Sequence, residues 1–365
     1  MWDDRAGQKR EKRMKFEQVI NGILPLDKKA MELAQARWNT LGKPLHSLGR
    51  LEELVVQLAG IMQTPMPKIE KKAVIVMAAD NGVVEEGVTQ TGQEVTKIVT
   101  ENMTKDKASI RVFARMSGAE VFPVDIGIAT EVDCPGIIPR KIKMGTDNIH
   151  KGPAMTREEA IEAILVGVDI VRELREKGYH MFATGEMGIG NTTTSSAICA
   201  VLLEQSVEKV TGKGAGLTSQ DLLHKIEVIK ESIAFNQVDK NDPIDVLHKV
   251  GGLDIAGLVG CFLGAAYYRT PIFIDGFISS IAALLAIKLA PACRDYMFPS
   301  HCSNEPAGKL VLDAIGFLPY ILANMCLGEG TGAVMGFTIA DYALTAYYGI
   351  PSFEETAFGT YEELV

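Results

Sequence analysis

YHMFATGEMGIGNTTTSS, residues 179–196, joins an apolar run to three glycines (185, 188 and 190) and a cluster of threonines. The run predicts a strand ending at Thr184, and the polar cluster predicts a helix beginning near Asn191. Neither common phosphate template fits. Walker A needs a lysine after its last glycine, and the dinucleotide fingerprint needs a different glycine spacing. Gly188 and Gly190 nevertheless let backbone approach a ligand without an intervening Cβ. A helix start offers unpaired amides and the positive end of its dipole to a phosphate, and Thr192 and Thr193 add hydroxyls. Glu186 would repel a phosphate beside it, so it fits a neutral hydroxylated group such as a ribose. The stretch therefore reads as a mononucleotide cradle. The competing reading is a structural glycine turn with an Asn191/Thr cap.

The same strand-then-turn pattern recurs outward along the chain. AVIVMAA (73–79) ends at Asp80, EVFPVD (120–125) leads to Gly127, and PIFID (271–275) ends at Asp275 before Gly276. Helix-like stretches such as 157–176 and 220–234 lie between. Short Val/Ile/Phe-rich runs alternating with helices predict an α/β fold, a doubly wound parallel sheet with helices on both faces. Ligands in such sheets bind outside the carboxyl ends of the strands, which puts Asp80, Glu186 and Asp275 on one rim; each alone also suits a turn or helix cap. Residues 63–291 are expected to form the large nucleotide-binding domain. Residues 16–62 and 292–365 read as mainly helical and are expected to combine into a smaller domain, with 1–15 a charged tail.

Composition sets bounds. The formal charge of -9 argues against a nucleic-acid binder, despite six basic residues among the first fifteen. Six scattered cysteines without a Cys-x-x-Cys pair suit free thiols in a reducing cytoplasm, and no secretory leader is apparent. The most apolar stretch, 271–287, contains Asp275 and reads as a buried strand followed by a core helix, not a membrane span.

Other candidates are chemically distinct. LGEGTGA (327–333) isolates Glu329 between glycines beside apolar residues. Desolvation there raises a carboxylate's pKa, which tunes a general base toward neutrality; a turn glutamate capping the next helix is the alternative. A cation should face the phosphate, and Lys225, Lys213 and Lys230 are equally placed by spacing. SHCSNEPAGK (300–309) reads as a helix start with Ser303 and Asn304 near the cap. No carboxylate cluster follows a strand, so no metal is expected.

Taken in order, KPLHSLGRLEEL (43–54), AADNGVVEEGV (78–88), VDIG (124–127), GEMGIGNTTTSSA (185–197), DGFISSIAALLA (275–286), SHCSNEP (300–306) and LGEGTGA (327–333) resemble the nicotinate-nucleotide–dimethylbenzimidazole phosphoribosyltransferases of cobalamin assembly. The resemblance implies a Rossmann-like sheet with a small helical domain, a dimer, and no cofactor, nicotinate mononucleotide being a substrate. It implies transfer of phosphoribosyl to an aromatic base with inversion from β to α and loss of nicotinate. It places the catalytic base on Glu329, the nucleotide and its phosphate on Glu186, Gly188, Gly190, Asn191, Thr192, Thr193, Lys225 and Ser303, and the acceptor on Leu327, Thr91 and Val99, with Asp80 and Asn81 nearby.

Three positions depart from the family pattern: Asn81 stands for a histidine, TQTG (89–92) replaces Ser-x-(Tyr/Ser)-Pro, and His46 replaces a glycine. The acceptor is therefore left open among dimethylbenzimidazole, other benzimidazoles, purines and phenols. A homodimer or a pairing with a homologous subunit both fit the resemblance. A dehydrogenase would need a glycine fingerprint after the first strand, where DNGVVEEG stands instead. A non-catalytic binding subunit is the other rival.

Overall fold

A computed structural model of the chain describes residues 14–214 and 216–356. The tail expected over 1–15 thus lies outside it, except for its last two residues. Six parallel strands form one sheet: β1 (Lys72–Ala79), β2 (Ala119–Gly127), β3 (Ile138–Pro139), β4 (Met181–Met187), β5 (Ile272–Ile274) and β6 (Met297–Pro299), in the order β3-β2-β1-β4-β5-β6. The chain builds one half outward from β1, then returns to lay β4 on its other side. Val74 accordingly pairs with Val121 of β2 and with Ala183 of β4. The switch point thus falls between β1 and β4, where doubly wound sheets hold ligands.

Every residue of β1 is buried, as a parallel strand covered on both faces requires. Helix Thr331–Gly349 covers one face, with Phe337 5.6 Å edge-on to Phe273 of β5. Helix Leu253–Tyr267 covers the other, where Leu253 packs against Gly127 and Gly257 against Met77. Capping boxes start two helices. Thr156 accepts the amide of Glu159 before Arg157–Glu176, and Thr218 that of Asp221 before Ser219–Asn236.

Helices Lys28–Thr40 and Arg50–Met62 pack beside Thr331–Gly349, where Trp38 meets Tyr347 edge-on at 4.8 Å. Their buried residues belong to the same continuous core as the sheet. The segment after 291, expected to be helical, also supplies edge strand β6, whose three residues pair with β5; three residues are too few to show strand periodicity. The apolar stretch 271–287 resolves into β5 and helix Phe277–Leu289. Among the described residues no helix is long and apolar enough to cross a membrane.

Candidate active site

At the carboxyl end of the sheet, β4 runs through Met187, three residues beyond the expected stop at Thr184. Glu186 is therefore a strand residue and not part of the loop. Gly185 is tolerated in the strand because Val76 of β1 pairs with it and the loop bearing Glu329 crosses directly over it. A Cβ on Gly185 would stand 2.5 Å from the Glu329 carbonyl oxygen. The two glycine blocks read separately in the sequence are thus pressed together.

Gly190 stands at the N-cap position of helix Asn191–Leu202 with no side-chain cap. This leaves the helix start facing a cavity of about 260 Å³, lined among others by Glu186, Gly188, Asn191, Thr192, Ser303 and Glu329. Thr193 is fully buried with an unpartnered hydroxyl and does not line it. Helix phase separates the two adjacent threonines. Gly190 lines a smaller cavity on the other side of the cradle.

Lys225 is 1% exposed, not on a solvated helix face. Its Nζ donates to Thr192 Oγ1 at 2.9 Å and to the Gly212 carbonyl at 3.3 Å. Burial pushes its pKa down to about 8, opposed by Glu305. Lys213 instead reaches Ser219, and Lys230 pairs with Glu208 and Glu227. Of the three, Lys225 is the one bonded to Thr192.

Glu329 has a left-handed backbone (φ 61°), and its Oε2 accepts the Ile110 amide at 3.2 Å. Burial raises its pKa; the Ile110 bond opposes this and nearby Asp275 adds to it. It does not cap the following helix. Asp275 does, accepting the amides of Gly330 (3.0 Å), Gly332 (2.8 Å) and Ala333 (2.9 Å). Although Asp275 lies on the rim as expected, both its oxygens are committed to that helix.

Glu186 is buried against Gly328, and the Asn191 amide nitrogen donates to its Oε2. The same nitrogen donates to Asp254 Oδ2 at 2.9 Å. Burial, reinforced by Asp254, pushes the Glu186 pKa up to about 8; burial also pushes that of Asp254 up to about 6. The sequence reading missed Asp254, which stands in the first turn of its helix like any ordinary acidic residue.

The remaining candidates divide. Val99 and Leu327 line the main cavity, Leu327 being 55% exposed. Thr91 lines the smaller cavity with Lys213 and Lys225. It therefore stands on the cradle side, away from Glu329. Asp80 and Asn81 are buried below the floor and line neither cavity. Asp80 accepts the Ala129 amide at 2.8 Å, and the Asn81 carbonyl accepts from Gln93 at 3.1 Å. The helix expected to start at Ser303–Pro306 begins instead at Gly308, with Ala307 at its N-cap position and no side-chain cap. Ser303 is left to line the cavity. His301, also missed, lines it beside Gly276.

A family model described as phosphoribosyltransferase matches residues 23–358. The nicotinate-nucleotide–dimethylbenzimidazole phosphoribosyltransferase of Ruminiclostridium cellulolyticum is 52% identical, over 96% of this chain and 100% of that protein. The protein of the same name from Acetivibrio thermocellus is 50% identical, over 95% and 99%. The solved structure of the Thermus thermophilus protein of that name superposes with a TM-score of 0.84 at 36% identity, covering 90% of this chain and 98% of that one. The sheet expected from the apolar runs, the cavity at the carboxyl ends of its strands and these likenesses agree: the chain is an enzyme of the nicotinate-nucleotide–dimethylbenzimidazole phosphoribosyltransferase family.

Proposed function

We propose that this enzyme transfers the phosphoribosyl group of nicotinate mononucleotide to an aromatic base in cobamide assembly, releasing nicotinate and the α-riboside phosphate. The observation that carries the reading is the cavity lined by Thr192 at one side and the desolvated Glu329 at the other, with Lys225 bonded to Thr192 from behind the cradle. Lys225 and the start of helix Asn191–Leu202 bind the phosphate, with Ser303 nearby. A ring nitrogen of a benzimidazole or purine acceptor, or the hydroxyl oxygen of a phenol, attacks the anomeric carbon from the face opposite nicotinate. The new bond from that nitrogen or oxygen to carbon forms as the bond to nicotinate breaks, and the acceptor's N–H or O–H proton passes to Glu329. The step balances without a cofactor. Val99 and Leu327 supply apolar surface for the acceptor, which is dimethylbenzimidazole or a related benzimidazole, purine or phenol. A dimer, of like chains or with a homologous subunit, belongs to the same reading.

The test is nicotinate release from nicotinate mononucleotide by the purified chain. Dimethylbenzimidazole, benzimidazole, adenine and p-cresol are supplied separately, and the riboside product is identified by mass. Release with one acceptor supports transfer and fixes its class. Nucleotide binding without release from any acceptor would overturn the reading that this chain alone is catalytic.

A further inference from the structure

Asp254 lies outside the proton path just described, yet it is tied to the cavity by one atom. The Asn191 side-chain nitrogen has two N–H donors, and the two carboxylates it contacts use both. Asp254 is fully buried, and its Oδ1 has no hydrogen-bond partner. Among the described residues, no lysine or arginine forms an ion pair with Glu186 or Asp254. Two buried carboxylates on one amide cannot both ionise cheaply, because each charge raises the cost of the other.

We infer that Asp254 is a positioning residue: through the Asn191 amide it fixes the Glu186 carboxyl in the cavity, and by its own nearby charge it adds to burial in keeping that carboxyl protonated, so that Glu186 donates a hydrogen bond to a ribose hydroxyl of the bound nucleotide. The inference rests on the nucleotide reading above. Oε2 of Glu186 receives the Asn191 donor, while Oε1 faces Gly328 at the cavity wall. A neutral Glu186 does not repel the nucleotide's phosphate, and Glu329 remains the carboxylate that ionises to act as base. The carboxylates facing Glu186 are Asp254, Asp275 and Glu329, all of which disfavour its charge; Asn191 opposes them. Asp254 is faced by Asp80, by the Asn191 amide and by the backbone amide of Ile255.

Infrared titration of the full-length, ligand-free protein reads this proton through the carbonyl stretch of a protonated carboxylic acid. Glu186→Gln identifies which band belongs to Glu186. In the wild type that band should persist through neutral pH and vanish near pH 8. In Asp254→Asn, which keeps the shape and removes the charge, it should vanish at a proton concentration about tenfold higher. The KM for nicotinate mononucleotide should then rise about twofold at pH 7 and about fivefold at pH 8, with kcat little moved. If Asp254→Asn fails to fold, Asn191→Ala serves, with the opposite sign: loss of the donated bond moves the band to higher pH. A Glu186 band that titrates in the ordinary carboxylate range, or that is unmoved by these substitutions, would overturn the inference. The titration needs no turnover, so a failure of the proposed reaction would leave this result intact, and the converse holds.

Discussion

Asp275 accepts the backbone amide of Gly330 at 3.0 Å, so the residue after Glu329 is pinned to the end of β5. Gly332 and Ala333 donate to the same carboxylate. The base proposed for catalysis therefore sits on a joint between the sheet and the helix covering its face. Its left-handed backbone is held by bonds on the residues that follow it.

Removing that cap should cost stability and activity together. Asp275→Ala strands three helix-start amides and is expected to destabilise the protein by about 2–4 kcal/mol. It should also lower kcat, because Glu329 loses its fixed position. Urea denaturation and steady-state kinetics on one preparation check both. An unchanged urea midpoint would show that the helix start does not depend on Asp275.

The base itself should behave differently. Glu329→Gln is expected to lower kcat roughly 10²–10⁴-fold, which is about 3–5 kcal/mol of the barrier, while leaving the urea midpoint near wild type. Near-normal kcat would remove Glu329 from the proton transfer.

Lys225→Ala is expected to weaken nucleotide binding by about 1.5–3 kcal/mol, the worth of a charge-assisted bond, and to act chiefly on KM. Titration calorimetry with nicotinate mononucleotide measures the loss directly. Equal affinity in the two proteins would move the phosphate elsewhere.

The pH profile follows from three groups. Glu329 must be ionised, and burial raises its pKa, so the acid limb should lie above the ordinary glutamate range. Lys225, pushed down to about 8, carries its charge only below that pH; Glu186, pushed up to about 8, keeps its proton over the same range. Both required forms are lost as pH rises. Log kcat/KM should therefore fall with a slope of about two above pH 8, and with a slope of about one in Lys225→Ala. A slope of one in the wild type would leave only one of the two groups titrating there.

Much of the sheet was legible because parallel strands buried on both faces are short apolar runs, and 73–79 and 271–275 read that way. The cradle and the isolated Glu329 were legible because glycine blocks are local. What the sequence leaves open is set by tertiary packing. Three lysines are equivalent by spacing, and only the inward turn of helix Ser219–Asn236 distinguishes Lys225. Thr192 and Thr193 are adjacent, and only the packing of helix Asn191–Leu202 decides which of them faces the cavity. Asp275 looks like a rim carboxylate until a helix start 55 residues later is brought onto it. Gly185 reads as a strand breaker, whereas it marks the close approach of another backbone.

That close approach yields the last prediction. A methyl on Gly185 would stand 2.5 Å from the Glu329 carbonyl oxygen and 2.7 Å from its carbonyl carbon. Both are backbone atoms, so no side chain can turn aside. Gly185→Ala should push the Glu329 loop off β4 while leaving Lys225 and Thr192 on their own helices. Overpacking of this kind costs about 1–3 kcal/mol of stability. A displacement of about 1 Å at a reacting group costs about 100-fold in rate. The expected variant therefore folds, binds nicotinate mononucleotide with nearly wild-type affinity and turns over about two orders of magnitude more slowly. Calorimetry and nicotinate release separate the two effects. Loss of affinity with kcat preserved would show that the glycine serves the cradle and not the base.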